Sequence, residues 1–370
     1  QIPAMYYFHA ATGLYFRMPS IFVQFFLLTF LTVENSAVQS PICNSMIPSI
    51  SLSNGVEMPQ LAMGTCFRDT MKDENNPSGL PLNPNFFGFL PERTHRALTH
   101  ALAMGYRHID TALVYRSQKA IGSVLASHFA SGALTREDLF ITSKLYHGSM
   151  PGLTRKGTTL DLENMTPEEV SVAVETQFET ILEELNLGYV DLMLLHWPAE
   201  MDSKHEGNAA RRLAAWKVLE DCFSRGWARS IGVSNFSEAH IEQLMEDGAK
   251  ILPMVNQIEA SVYKQWNGIA DYCRGKGIGL MAYSPLGMGK ASLLADPILA
   301  GIASKHNVEP AQAAMRYLVQ LGYAILPLST SEKRLGQNMG VFSFELDDTD
   351  METLGKLKSM NEGIGLPSPY

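Results

Sequence analysis

The run "GYRHIDTALVYRSQK", Gly105 to Lys119, holds an aspartate, a tyrosine and a lysine close together. A tyrosine can hand a proton to a developing alkoxide. Its ordinary pKa near ~10 makes it a poor donor at neutral pH unless a neighbouring cation lowers it. Lys119 stands four residues after Tyr115, and on one helix that spacing would put both side chains on one face. The alternative is a lysine brought in by folding. The two arrangements belong to different enzyme architectures, so choosing the lysine chooses the fold.

Outward from this run, strand-like and helix-like segments alternate from Ser51 onward. Asn54-Gly55 is a hairpin turn signal, followed by an apolar strand ending near Thr65. Helical patterns follow at Arg93–Met104, Gln118–Phe129, Thr166–Leu187, Asn208–Arg225, Glu238–Met245, Gln265–Lys276 and Pro310–Leu321. Between them lie the strand-like runs "YRHIDTA", "LFITSK", "YVDLMLLHW", "ARSIGVSN", "PMVNQIE", "IGLMAYS" and "YAILPLS". With the strand at Leu61 this gives eight strands with helices between them. The α/β class follows, as a closed (β/α)8 barrel with an N-terminal β-hairpin and an extra terminal helix over Asp347–Lys358.

The chain has 370 residues, 46% hydrophobic and 18% charged, enough to build a substantial core. The formal net charge of -9, with no dense basic run, argues against a nucleic-acid partner. The four cysteines are widely spaced without a C-x-x-C pair, which disfavours a zinc ribbon or a dense disulfide framework. Residues 1–46 are expected to form an N-terminal extension and 47–370 the barrel. The apolar stretch Ile21–Val33 is too short and interrupted for a confident membrane span. It fits a signal-peptide core better, although an A-x-A cleavage pattern is missing. A targeting signal and an upstream extension both stay open. So do a cytoplasmic and a secretory or organellar location.

In such a barrel the C-terminal strand ends line the active site. Asp110 ends the second strand, Lys144 the third and His196 the fourth, and Tyr115 follows in the loop after the second. Each alone has a bland explanation: a helix cap, a solvated strand end, a satisfied core histidine. Together, four ionisable groups at one barrel end point to a site. Tyr115 with Lys119 does match the Y-x-x-x-K pair of short-chain dehydrogenases. That fold also needs a Gly-rich turn after its first strand, and no G-x-G-x-x-G occurs here. Lys119 is therefore expected on the outer face of a helix, with Lys144 as the partner of Tyr115. No metal is expected, because clustered histidine ligands are lacking at the strand ends.

"GYRHIDTA" with Tyr115, "ITSKL", "LLHWP", "IGVSNF", "NQIE", "AYSPLG" and "PLSTSEKRLGQN" resemble, in order, the motifs of the aldo-keto reductase family, over roughly Ser51 to Glu362. The resemblance implies a tetrad of Asp110, Tyr115, Lys144 and His196. It implies NADPH as cofactor, with NADH as the alternative. The nicotinamide would be held by Ser234, Asn235, Gln257 and Tyr283, with Thr65, Ser284 and Leu286 nearby. Its adenosine end would meet Ser329, Arg334, Gln337 and Asn338. The substrate would meet His196, Trp197, Tyr146 and Cys66. The implied activity is reduction of aldehydes or ketones, on a small carbonyl substrate, by a monomer. The alternative is a non-catalytic, cofactor-binding regulatory protein of the same fold.

Departures from the family pattern bear on these expectations. Leu328 stands where a lysine usually faces the 2'-phosphate of NADPH, so discrimination against NADH should be weaker. Gln118 and Gln337 replace usual glutamates. Cys66 replaces a usual aromatic, which either widens the pocket or is a small core cysteine. The segment Gly148–Glu163 looks like an insertion, either a lid or surface decoration.

Overall fold

Residues 47–67, 91–145, 165–198, 207–289 and 291–357 are described in the computed structural model. They open with an antiparallel hairpin, β1 (Ser49–Ser51) and β2 (Glu57–Pro59). Its turn is the Asn54-Gly55 pair, and Gly55 takes φ 80°, a left-handed conformation that suits glycine. Eight parallel strands follow: β3 (Ala62–Gly64), β4 (His108–Asp110), β5 (Phe140–Leu145), β6 (Leu192–Leu195), β7 (Ile231–Ser234), β8 (Val255–Glu259), β9 (Gly279–Tyr283) and β10 (Tyr323–Leu326). They pair in chain order. A parallel bridge from Leu61 to Ile325 brings the last strand back to the first. The Ile325 amide donates to the Gln60 carbonyl at 2.8 Å, and the Gly64 amide to that of Pro327 at 3.2 Å. This is the (β/α)8 barrel that the alternation predicts.

Alternation along each strand sorts the core into two layers. Ala62, Phe140, Leu192, Leu194, Val255, Met281, Ala324 and Leu326 pack together inside the barrel. Leu52 and Met58 of the hairpin join them. Several of these partners are the first residues of their strands, so the hairpin plugs the N-terminal end. The intervening residues, among them Met63, Ile109, Ile141, Met193, Val233 and Ile325, pack outward with apolar residues of the helices.

The helices begin and end within a few residues of the sequence expectation. The longest, Pro167–Leu185, starts at Thr166, whose hydroxyl accepts from the Glu169 amide while the Glu169 carboxylate accepts from the Thr166 amide. It stops at Asn186 in the left-handed region, φ 53°. Two glycines are demanded by packing. A Cβ on Gly122 would lie 2.7 Å from the carbonyl oxygens of Glu184 and Leu185, and one on Gly232 would lie 2.6 Å from that of Val255. Three helices lie outside the expectation, Ala291–Leu294, Pro297–Lys305 and Glu332–Met339. The last of these buries only Leu335 and Asn338, too few to impose a helical period on its sequence. The terminal helix runs Asp348–Gly355, shorter than expected. No helix among the described residues is long and apolar enough to cross a membrane. The N-terminal extension, the Gly148–Glu163 insertion and Tyr146 lie outside the described residues.

Candidate active site

The inward parity of the strands continues past the apolar core to the C-terminal mouth. Phe140 and Thr142 lead to Lys144, Leu192 and Leu194 to His196, Val255 to Gln257, and Met281 to Tyr283. The same alternation that fills the barrel therefore delivers polar side chains to one end. His108, earlier on β4, sits deeper. Its ring nitrogens meet the Pro59 carbonyl and Thr142 Oγ1, both at 2.9 Å, and burial pushes its pKa down to about 4. It is a neutral buried residue below the mouth.

Lys144 is completely buried, and its ammonium is 2.6 Å from Asp110 Oδ1. It also donates to the Thr111 carbonyl at 2.9 Å. Burial pulls the Lys144 pKa below its ordinary range, and the Asp110 carboxylate opposes that fall. Without the carboxylate, a buried ammonium would cost several kcal/mol, on the order of the desolvation penalty of an ion. Asp110 is held from its other side as well: Gln257 Nε2 donates to Asp110 Oδ2 at 2.8 Å.

Tyr115 ends a short 3-10 turn, Leu113–Tyr115, and its ring centroid is 5.1 Å from Lys144 Nζ. Arg116 follows in the left-handed region at φ 54°. The helix carrying Lys119 begins only at Gln118, so the spacing of four between Tyr115 and Lys119 is not one helical turn. Lys119 is exposed. The structure thus puts Lys144, not Lys119, beside the tyrosine. The turn is pinned by buried hydroxyls, and sequence inspection singled out Thr65 among them but not Thr111 or Ser117. Ser117 Oγ is 3.1 Å from Thr111 Oγ1 and 3.3 Å from Thr65 Oγ1, and Thr65 Oγ1 donates to the Asp110 carbonyl at 2.9 Å. Their one visible signal was small hydroxyl residues flanking Asp110 and Tyr115 in sequence.

The His196 ring meets the Tyr115 ring edge-on, 5.8 Å between centroids at 79°. Trp197 stacks beside it at 6.4 Å and 24°. Asn235 Nδ2 donates to the His196 carbonyl at 3.0 Å and to Ser234 Oγ at 3.1 Å, while its Oδ1 accepts from the Tyr283 hydroxyl at 2.8 Å. Asn235 and Ser284 both hold left-handed backbones, φ 62° and 51°. Such conformations concentrate where side-chain aim matters more than local comfort. Burial pushes the Tyr283 phenol well above its ordinary range, and the Glu259 carboxylate adds to the effect. Its hydroxyl therefore stays protonated and donating. Ser234 Oγ donates to the Gln257 carbonyl at 2.8 Å.

The resulting arrangement has a buried cation beside a tyrosine and a histidine ring across from it. It also has amide and hydroxyl groups on β7 and β8, and the Tyr283 side chain on β9. It is equipped to stabilise charge on an oxygen and to bind a planar amide-bearing ring. The sequence model of the Aldo/keto reductase family matches residues 88–359. The chain belongs to the aldo-keto reductase family.

Relatives and solved structures agree. A glyoxal reductase of Bacillus subtilis (strain 168) is 34% identical over 88% of this chain and 97% of its own length. Aldo-keto reductase family 1 member C1 of Pongo abelii is 36% identical over 70% of this chain and 80% of its own. The crystal structure of a Bombyx mori aldo-keto reductase in complex with NADP superposes with a TM-score of 0.68, at 30% identity, covering 84% of this chain and 92% of that one. The aldose reductase of Schistosoma japonicum superposes at 0.65, with 29% identity, covering 84% and 93%.

The remaining expected residues of this aldo-keto reductase surround the same mouth or the segment after β10. Cys66, just after β3, is half-buried and near Lys144, so it is not a fully buried core cysteine. Leu286 is partly buried against the core. After β10, Ser329 Oγ accepts from Arg334 Nε at 3.1 Å and from the Ser331 amide at 3.1 Å. The Arg334 side chain is exposed at the start of helix Glu332–Met339. Gln337 is fixed by its carbonyl, which accepts from Gln312, and Asn338 is buried against the Tyr106 hydroxyl. A Cβ on Gly64 would lie 3.6 Å from Leu328 Cδ1, so Leu328 leans over the end of β3. Gln118 is buried and donates to Ser143 Oγ at 2.7 Å, on the barrel wall rather than in the mouth.

Proposed function

We propose that this aldo-keto reductase reduces small aldehydes or ketones to alcohols with NADPH, acting as a monomer. The observation that carries it is the buried Lys144 ammonium held between Asp110 and the Tyr115 ring at the barrel mouth. The residues present fit a nicotinamide cofactor. Gln257 Oε1 accepts no hydrogen bond among the described residues, which leaves an acceptor for a carboxamide. Arg334 commits only Nε to Ser329, which leaves its terminal nitrogens for a phosphate. When bound, the reduced nicotinamide supplies hydride to the carbonyl carbon. Tyr115 gives its hydroxyl proton to the carbonyl oxygen, and Lys144 makes that proton available by favouring the tyrosinate. Asp110 keeps Lys144 charged against burial. His196 orients the carbonyl and donates to the oxygen as charge develops. Tyr283 would pack against the nicotinamide ring, and Ser234, Asn235 and Gln257 would hold its carboxamide.

The relatives support a carbonyl-reducing chemistry, since one is a glyoxal reductase by name and one structure holds NADP. The test is a titration of the protein with NADPH and NADH, followed by a panel of aldehydes and ketones with loss of NADPH absorbance as the readout. Turnover of carbonyls with NADPH is expected. Tight NADPH binding with no turnover across the panel would instead favour a regulatory, non-catalytic protein.

A further inference from the structure

Gln257 occupies a position that its expected cofactor role does not exhaust. It is buried on β8, across the barrel from β4, yet its side-chain amide reaches Asp110. The orientation of that amide is fixed by chemistry. A carboxylate only accepts, so the nitrogen and not the oxygen must face it. Of the two N–H groups, one goes to Asp110 Oδ2 at 2.8 Å and the other lies 3.9 Å from Met281 Sδ. Oε1 is left as an acceptor. Asp110 uses its two oxygens separately, Oδ1 for Lys144 and Oδ2 for Gln257.

We propose that Gln257 is a positioning residue for the proton donor. Its Nε2 holds the Asp110 carboxylate against Lys144 while its Oε1 receives the carboxamide of the nicotinamide, so one amide ties cofactor occupancy to the state of Lys144 and Tyr115. This rests on Tyr115 being the proton donor and Gln257 a carboxamide contact. An amide that accepts at its oxygen becomes a better donor at its nitrogen, because chained hydrogen bonds polarise one another. Cofactor binding therefore strengthens the grip on Asp110.

The other titratable groups near Tyr115 and Lys144 are Cys66, just after β3, and His196, just after β6, with neutral His108 below on β4. Gln257 Nε2 donates to Oδ2, the oxygen that Lys144 does not take.

The test uses the protein without cofactor. Tyrosinate absorbance is followed as pH rises, and Tyr115 is isolated by subtracting the same protein carrying Tyr115→Phe. In Gln257→Met the carboxylate loses its second donor, Lys144 surrenders its proton earlier, and Tyr115 titrates later, by about one pH unit. Gln257→Leu also removes the amide and adds no charge, so it moves the titration in the same direction. It carries the test if the methionine variant fails to fold by circular dichroism. Ser234→Ala serves as the comparison, weakening NADP+ binding while leaving the Tyr115 titration in place. If the Gln257 variants weaken NADP+ binding but leave the Tyr115 titration unmoved or lower it, Gln257 is a cofactor contact alone and the proposal fails. If wild type does not bind NADP+ at all, the proposed function fails instead, and the cofactor-free titration still decides whether Gln257 governs Asp110.

Discussion

Tyr115 is a useful acid only while a cation stands beside it, and two lysines compete for that role in the sequence. Burial separates them: Lys144 is enclosed with Asp110, whereas Lys119 faces solvent. Tyr115→Phe is expected to abolish carbonyl reduction while leaving NADPH affinity nearly intact, measured by fluorescence titration. Lys144→Met should cost roughly 10²–10⁴-fold in kcat, the usual range for proton transfer, and Lys119→Met almost nothing. The reverse pattern would mean that Tyr115 takes its proton from outside the barrel. At the proposed adenosine end of the cofactor site, one charge should weigh on the choice of nucleotide. Arg334 is present, but Leu328 stands where a second cation is expected and leans over Gly64. A charge-assisted hydrogen bond contributes about 1.5–3 kcal/mol, so Leu328→Lys should sharpen preference for NADPH over NADH about tenfold or more. An unchanged ratio of dissociation constants would show that residue 328 does not reach the phosphate.

The last helix, Asp348–Gly355, is anchored by charge. Lys305 and His306 converge on Asp350, with His306 Nε2 2.7 Å and Lys305 Nζ 2.9 Å from its Oδ2. Burial opposes ionisation of Asp350, but His306, Lys305 and the Asp347 amide together hold its carboxyl below the ordinary range. A depressed carboxylate pKa gives stability that is present above the unfolded value, near ~3.9, and lost as pH falls through the folded one. Asp350→Asn should therefore cost about 1–3 kcal/mol at pH 7, and the gap from wild type should shrink as the pH drops below about 4. Urea unfolding at the two pH values measures both, and a gap that is constant with pH would remove ionisation from the cause. This cluster illustrates what was legible. Capping and period gave most helices, because Thr166-Pro167 and the strand alternation are local signals. Helix Glu332–Met339 was missed because its neighbours rather than its own pattern hold it. The meeting of Asp350 with His306 joins segments whose spacing carries no local mark.

At the scale of the whole barrel, the strand ends that carry Asp110, Lys144 and His196 were legible because they follow apolar runs. Contacts across the lumen were not. Gln257 reaches Asp110 from β8 to β4, and such a pairing depends on how the closed sheet staggers, which no single segment encodes. The same closure makes the cofactor site a property of the complete fold. Its expected residues come from β3, β7, β8, β9 and the segment after β10, and the seam at Leu61 and Ile325 joins the first of these to the last. An unfolded chain offers no such set, so a ligand of the site binds the native barrel alone and must stabilise it. At one hundred times its dissociation constant, NADP+ should add about 2.7 kcal/mol to unfolding stability. At the same concentration NAD+ should add less, because it lacks the phosphate that Arg334 would bind. Thermal unfolding of wild type and Arg334→Ala with each nucleotide separates the contributions. The variant should respond nearly equally to NADP+ and NAD+, with NAD+ acting as it does on wild type. If the variant keeps the full advantage of NADP+, the phosphate is bound by some other group, and the placement of the Ser329–Arg334 pair at the adenosine end is wrong.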